Sequence, residues 1–134
     1  MTAALILVLA LAPDLSAVKA ESDPGKRANK AFDYALQQLA DARTAAAASE
    51  FDKVKEISPT IADAVDVADD ALTSGKKNSG RLKKAEQRCN DLLRRLETFR
   101  QDLPVEERTA IEATIKRVHS VQERFLSLVM ERAK

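Results

Sequence analysis

The chain has 134 residues, of which 32% are charged and 4% aromatic, with three glycines, four prolines and no tryptophan. That composition suits one domain of helices with solvated faces and leaves no length for a second core. The 22 basic and 21 acidic side chains leave a formal net charge of +1, so no overall field draws the molecule onto nucleic acid or an anionic membrane, and any anion binding has to be local.

The run Ala3 to Ala12 is apolar and uncharged and ends at Pro13. A bilayer-spanning helix needs about 20 apolar residues and a secretory leader about 7 to 15. The run therefore reads as a signal peptide. Val18-Lys19-Ala20 offers the small or modest side chains that signal peptidase needs, which puts cleavage after Ala20, with Leu15-Ser16-Ala17 as the second choice. The expected division is residues 1–20 as signal peptide and 21–134 as a helical domain outside the cytoplasm, periplasmic or secreted, with no membrane span in the mature form. About 114 residues then remain, enough to bury around two-thirds of their unfolded surface.

Four helices follow in the remainder, because apolar residues recur at spacings of three and four and the breakers fall between most of the periodic runs. Asp23 caps the first and Pro24 fills its first turn. Its stripe is Ala28, Phe32, Ala35, Leu36, Leu39, Ala42 and Ala46, and it should run to about Ala48. Ser49 is the expected cap of the second, whose stripe is Phe51, Val54, Ile57, Ile61, Ala64, Val65, Ala68 and Leu72. Pro59 predicts a kink there, or a restart with Ser58 as cap. Gly75 should stop that helix, and the segment Ser74 to Gly80 reads as a loop.

The third helix carries the most regular pattern: Leu82, Ala85, Cys89, Leu92, Leu96, Phe99 and Leu103 form a heptad seam ended by Pro104. Glu106 and Glu107 should open a fourth helix with the stripe Ile111, Ile115, Val118, Phe125 and Val129, flanked by Val121, Leu126, Leu128 and Met130. Short connections make successive helices antiparallel neighbours. The fold class expected is all-α, an antiparallel up-down four-helix bundle preceded by a signal peptide helix.

Catalytic chemistry is missing from the chain. His119 is the single histidine, Cys89 the single cysteine, and no Glu-x-x-His, Cys-x-x-Cys-His or Gly-x-Ser-x-Gly element occurs. The sequence therefore points to no enzyme, no cofactor, no haem and no metal centre. Cys89 lies on a seam, where a thiol packs as a small hydrophobe, and a bridge between chains is its alternative.

Two charged ridges and one apolar end remain as candidate partner-binding surfaces. Asp63, Asp66 and Asp70 share one face of the second helix, and Arg81, Lys84 and Arg88 share one face of the third. Both run against the helix dipole, so ion pairing between the two ridges across a hairpin is the plain account of them. The functional account is docking of a protein or an anionic envelope component; nucleic acid is excluded for want of aromatic side chains among the cations. At the end of the fourth helix, Phe125, Leu126, Leu128, Val129 and Met130 cover more than one face and either cap the core or join a second copy in a homodimer.

The run Lys84-Ala-Glu, then Asp91-Leu-Leu-Arg-Arg-Leu-Glu, with Glu107-Arg108 and Val118-His119 further on, is similar to a group of small uncharacterised exported bacterial proteins. The resemblance spans roughly residues 30 to 130 and implies export, helicity and no assigned activity. The function expected is that of an exported, non-catalytic binding or structural protein, with a periplasmic holdase-type chaperone or stress-response protein as the alternative.

Overall fold

The computed structural model describes residues 14–74 and 79–132, and all regular structure in those residues is helical. A short helix α1 (Leu15–Lys19) precedes four long ones: α2 (Pro24–Ala47), α3 (Phe51–Thr73), α4 (Ser79–Asp102) and α5 (Thr109–Arg132). One 3-10 turn, Val105–Glu107, lies before α5. The apolar run Ala3 to Ala12, on which the signal-peptide expectation rests, and the segment Gly75 to Asn78 lie outside the described residues, as does Lys134.

The caps explain where the helices begin and end. Asp23 accepts from the backbone N–H of Lys26 at 2.9 Å, and Pro24 occupies the first turn, where its missing N–H costs nothing. The C-terminus of α2 closes differently from the expectation. Ser49 does not cap α3; it takes a left-handed conformation (φ 59°) after the last turn of α2. The N–H groups of Ser49 and Glu50 then donate to the carbonyls of Ala46 and Ala45 at 2.9 and 2.8 Å, a Schellman closure. Glu50 becomes the residue before α3, with no side-chain cap.

Pro59 lies inside a continuous α3 on its exposed face, where the carbonyl deprived of its partner can reach water. No restart occurs at Ser58, whose side chain is buried instead. Ser79 and Gly80 are helical, so the loop is shorter than the composition suggests. Glu106 and Glu107 fall in the 3-10 turn, and α5 starts two residues later. Arg108 reaches back to the carbonyls of Leu103 and Gln101 at 3.3 and 3.2 Å and satisfies the end of α4.

Two helical hairpins, α2 with α3 and α4 with α5, meet chiefly where α3 lies along α5. Alanines dominate the first: Ala28, Ala31, Ala35, Ala42 and Ala45 of α2 are buried, as are Ala62, Ala64, Ala68 and Ala71 of α3. Small side chains let these two backbones approach closely. In the second hairpin, the six seam residues of α4 from Leu82 to Phe99 and Leu103 just after it are buried, as are Ile111, Val118, Val121 and Phe125 of α5. Each large apolar side chain enclosed this way contributes about 1.5–3 kcal/mol.

Contacts between α3 and α5 climb together along both helices: Ser58 meets Thr114, Asp63 meets Arg117 and Asp69 meets Arg124. Those two helices run parallel. Arg88 of α4 likewise meets Asp33 of α2, whereas α3 and α4, consecutive in the chain, touch only sparingly. The segment Leu15 to Ala20, read from the sequence as the end of a leader, is α1 and a turn, and it docks on α2 with Val18 buried at 6% exposure.

Serine pays a steric penalty in the left-handed region that glycine does not. Ser49→Gly should raise unfolding free energy by about 0.5–1 kcal/mol, and a β-branched residue there should lower it by more. Urea denaturation midpoints of the full chain check the sign.

Candidate functional site

The two ridges do not pair with each other. On α3, Asp63 accepts from Arg117 Nη2 at 2.9 Å, and Asp66 accepts from the same nitrogen. These bonds, Asp66 first, push the Arg117 pKa further up. On α4, Arg88 donates to Asp33 Oδ1 at 2.8 Å and to the Asn29 carbonyl at 3.2 Å, while its guanidinium carbon lies 5.1 Å from the centre of the Phe32 ring. The sequence placed opposite charges correctly but matched them to the wrong helices. It assumed that α3 and α4 are neighbours, whereas α5 and α2 supply the partners. Asp63, Asp66 and Arg88 are thus engaged within the fold, and Asp70 lines a shallow groove with Leu15, Lys19 and Val67.

Arg81 and Lys84 meet again at a different place, a cleft of about 250 Å³ between the first turns of α2 and the start of α4. Lys26 adds a third cation from α2, and Asp23 adds one carboxylate. Gly25 lies close beneath Arg81: a Cβ on it would sit 3.0 Å from Arg81 Nε, so a larger residue would push that flexible side chain outward by a few tenths of an ångström. Beneath the charged rim the lining includes Ala28, Phe32, Leu72 and Ala85, all part of the buried core. Lys26 could not be grouped with Arg81 and Lys84 from sequence, because only the contact of α2 with α4 joins them.

At the end of α5 the candidate surface shrinks. Phe125 is fully enclosed, which removes it from any partner-binding face: it lies on the seam with Val118 and Val121. Leu128 and Val129 are half-buried against the core. Leu126 and Met130 remain exposed, at 40% and 62%, in a shallow groove flanked by Glu123 and Glu131.

One buried acid was missed. Asp69 sits on the apolar stripe of α3, four residues after Val65 and three before Leu72, and is 7% exposed. Its Oδ2 binds Arg124, while Oδ1 is buried without a partner. Its position on the stripe was the available signal. Burial raises its pKa above the usual carboxylate value, and the Arg124 charge opposes that rise only in part.

The remaining chemistry is sparse. Cys89 is fully buried, and burial pushes its thiol up to about 12, so it is neither a thiolate nor within reach of a reagent. His119 is exposed, with Nδ1 3.6 Å from Glu123 Oε1. Among the described residues no three metal-ligating side chains converge, and no helix is long and apolar enough to cross a membrane. Comparisons with protein-family models, with curated proteins and with solved structures found no match.

Because the folded form holds a proton on Asp69 more readily than the unfolded chain, this residue's contribution to stability falls as pH rises through its raised pKa. The unfolding free energy of the wild type relative to Asp69→Asn should therefore increase as pH is lowered from 7 toward the ordinary carboxylate range. Paired urea titrations at several pH values read it, and a difference that shrinks on acidification would contradict the assignment.

Proposed function

We propose that this chain is an exported, non-enzymatic binding protein, an up-down helical bundle whose basic cleft docks an anionic component of the cell envelope. The observation that carries the reading is the cleft itself, where Lys26, Arg81 and Lys84 from two helices rim an apolar floor. Arg88 is held by Asp33 and Asn29 and lies over the Phe32 ring, so its charge is engaged within the fold and not offered to the cleft. Lys84 and Lys26 are both exposed and make no ion pair among the described residues, so they can meet an incoming anion. One carboxylate against three cations leaves the cleft electropositive on a molecule that is otherwise nearly neutral.

A further support comes from the sequence, where the leader-like run before Pro13 favours export. The exported form, recovered from outside the cytoplasm and analysed by intact mass, should begin at Glu21.

The docking is tested with purified protein against vesicles of anionic or neutral lipid and against a soluble phosphodiester polymer. Reversing both lysines, Lys26→Glu with Lys84→Glu, should weaken binding to the anionic probes at least tenfold, about 1.4 kcal/mol, with helicity unchanged. Wild-type binding should also weaken with added salt. Wild-type protein that binds neither anionic probe at low salt would remove the reading.

A further inference from the structure

Two features at opposite ends of the bundle match each other in charge and in shape. The basic cleft lies against the first turns of α2 and α4, whereas α4, 24 residues long and so about 36 Å from end to end, delivers the chain at Asp102 to the Val105–Glu107 turn. Val105 is 72% exposed there, more than any other large apolar side chain among the described residues. Beside it stand Asp102, Glu106 and Glu107, none of which makes a side-chain hydrogen bond or ion pair among the described residues. Arg108, the one cation between residues 102 and 108, turns its guanidinium to the carbonyls of Leu103 and Gln101.

The turn is presented as a preformed knob. The Glu107 N–H donates to the Pro104 carbonyl at 2.9 Å, and Arg108 fastens the turn to the end of α4, so little ordering entropy is lost when it docks. The cleft is its complement: about 250 Å³, wide enough for an aliphatic side chain, with the edges of Ala28, Leu72 and Ala85 at its floor and Lys26 and Lys84 at its rim. Asp23, the carboxylate beside them, is occupied as the cap of α2. Cations near the start of α4 oppose its dipole, and no carboxylate among the described residues pairs with Lys84. An anion brought by another molecule removes that conflict.

We propose that the cleft of one molecule receives the Val105-Glu106-Glu107 turn of a second copy, with Val105 on the apolar floor and the two glutamates against Lys26 and Lys84. The proposal rests on the reading of the cleft as an anion seat and names a further occupant for it. Because cleft and turn lie at opposite ends, a pair leaves one of each unused, so the contact is heterologous and propagates head to tail. One turn in one cleft covers less than the roughly 1,000 Å² of a stable interface, so association is weak, rises with concentration and falls with salt.

Sedimentation velocity of the full chain at low salt reads it: the weight-average mass should rise from micromolar to millimolar concentration. Two variants, Glu106→Lys with Glu107→Lys and Lys26→Glu with Lys84→Glu, should each stay monomeric. Mixed in equal amounts they should associate again, because the intact cleft of the first meets the intact turn of the second. Val105→Ser, in the wild type or in both chains of the mixture, should weaken association roughly fivefold. It leaves the charge unchanged, which separates a seated knob from general attraction between oppositely charged proteins. A wild type that stays monomeric, a mixture that does not associate, or association indifferent to Val105→Ser overturns the proposal. So does loss of association in Leu126→Ser with Met130→Ser, which would put the contact at the end of α5. Vesicle binding separates the two readings. Wild type that binds anionic vesicles yet never self-associates keeps the anion seat and removes the second copy, whereas association without vesicle binding supports the second copy and removes the envelope ligand.

Discussion

The α3–α5 contact joins the two hairpins, and its register is set by a buried polar pair. The Thr114 hydroxyl donates to the Ser58 carbonyl at 2.8 Å, and the two side-chain oxygens lie 2.7 Å apart, so the Ser58 hydroxyl donates in return. Inside an apolar interface, sliding either helix by a turn would strand both hydroxyls, at about 1–3 kcal/mol for each unsatisfied group. Apolar stripes alone tolerate such slips. The Arg117 fork to Asp63 and Asp66 and the Arg124 contact with Asp69 extend the same register toward the other end.

That register decides what the surface offers. Because α5 supplies Arg117 and α2 supplies Asp33, half of the charges that looked like two ridges are consumed in holding helices together. What remains is smaller and more local: a cationic cleft at the α2–α4 contact, an acidic edge around Asp70, and two exposed apolar side chains near the end of α5.

The periodic residues were legible in the sequence because burial in a helical pair imposes its own spacing. The whole α4 seam, the Asp23-Pro24 start of α2 and the role of Cys89 as a packed thiol follow from that rule alone. The misplaced features share one physical reason. Ser49 looks like an N-cap because serine serves there, yet the left-handed turn after α2 needed a residue at that position first. Asp69 and Ser58 look like surface residues by type, and only the identity of the opposing helix makes their burial tolerable. Sequence periodicity reports which face of a helix is covered, but not by which neighbour, and the charge pairing depended on the neighbour.

Cys89 illustrates how enclosure controls chemistry in time. With no exposed surface and its proton held to about pH 12, the sulfur cannot meet an oxidant or a second sulfur while α4 stays in place. Disulfide-linked pairs of this molecule would accordingly be a lasting trace of chains that had once come apart, and their abundance would count past opening events rather than describe a working assembly.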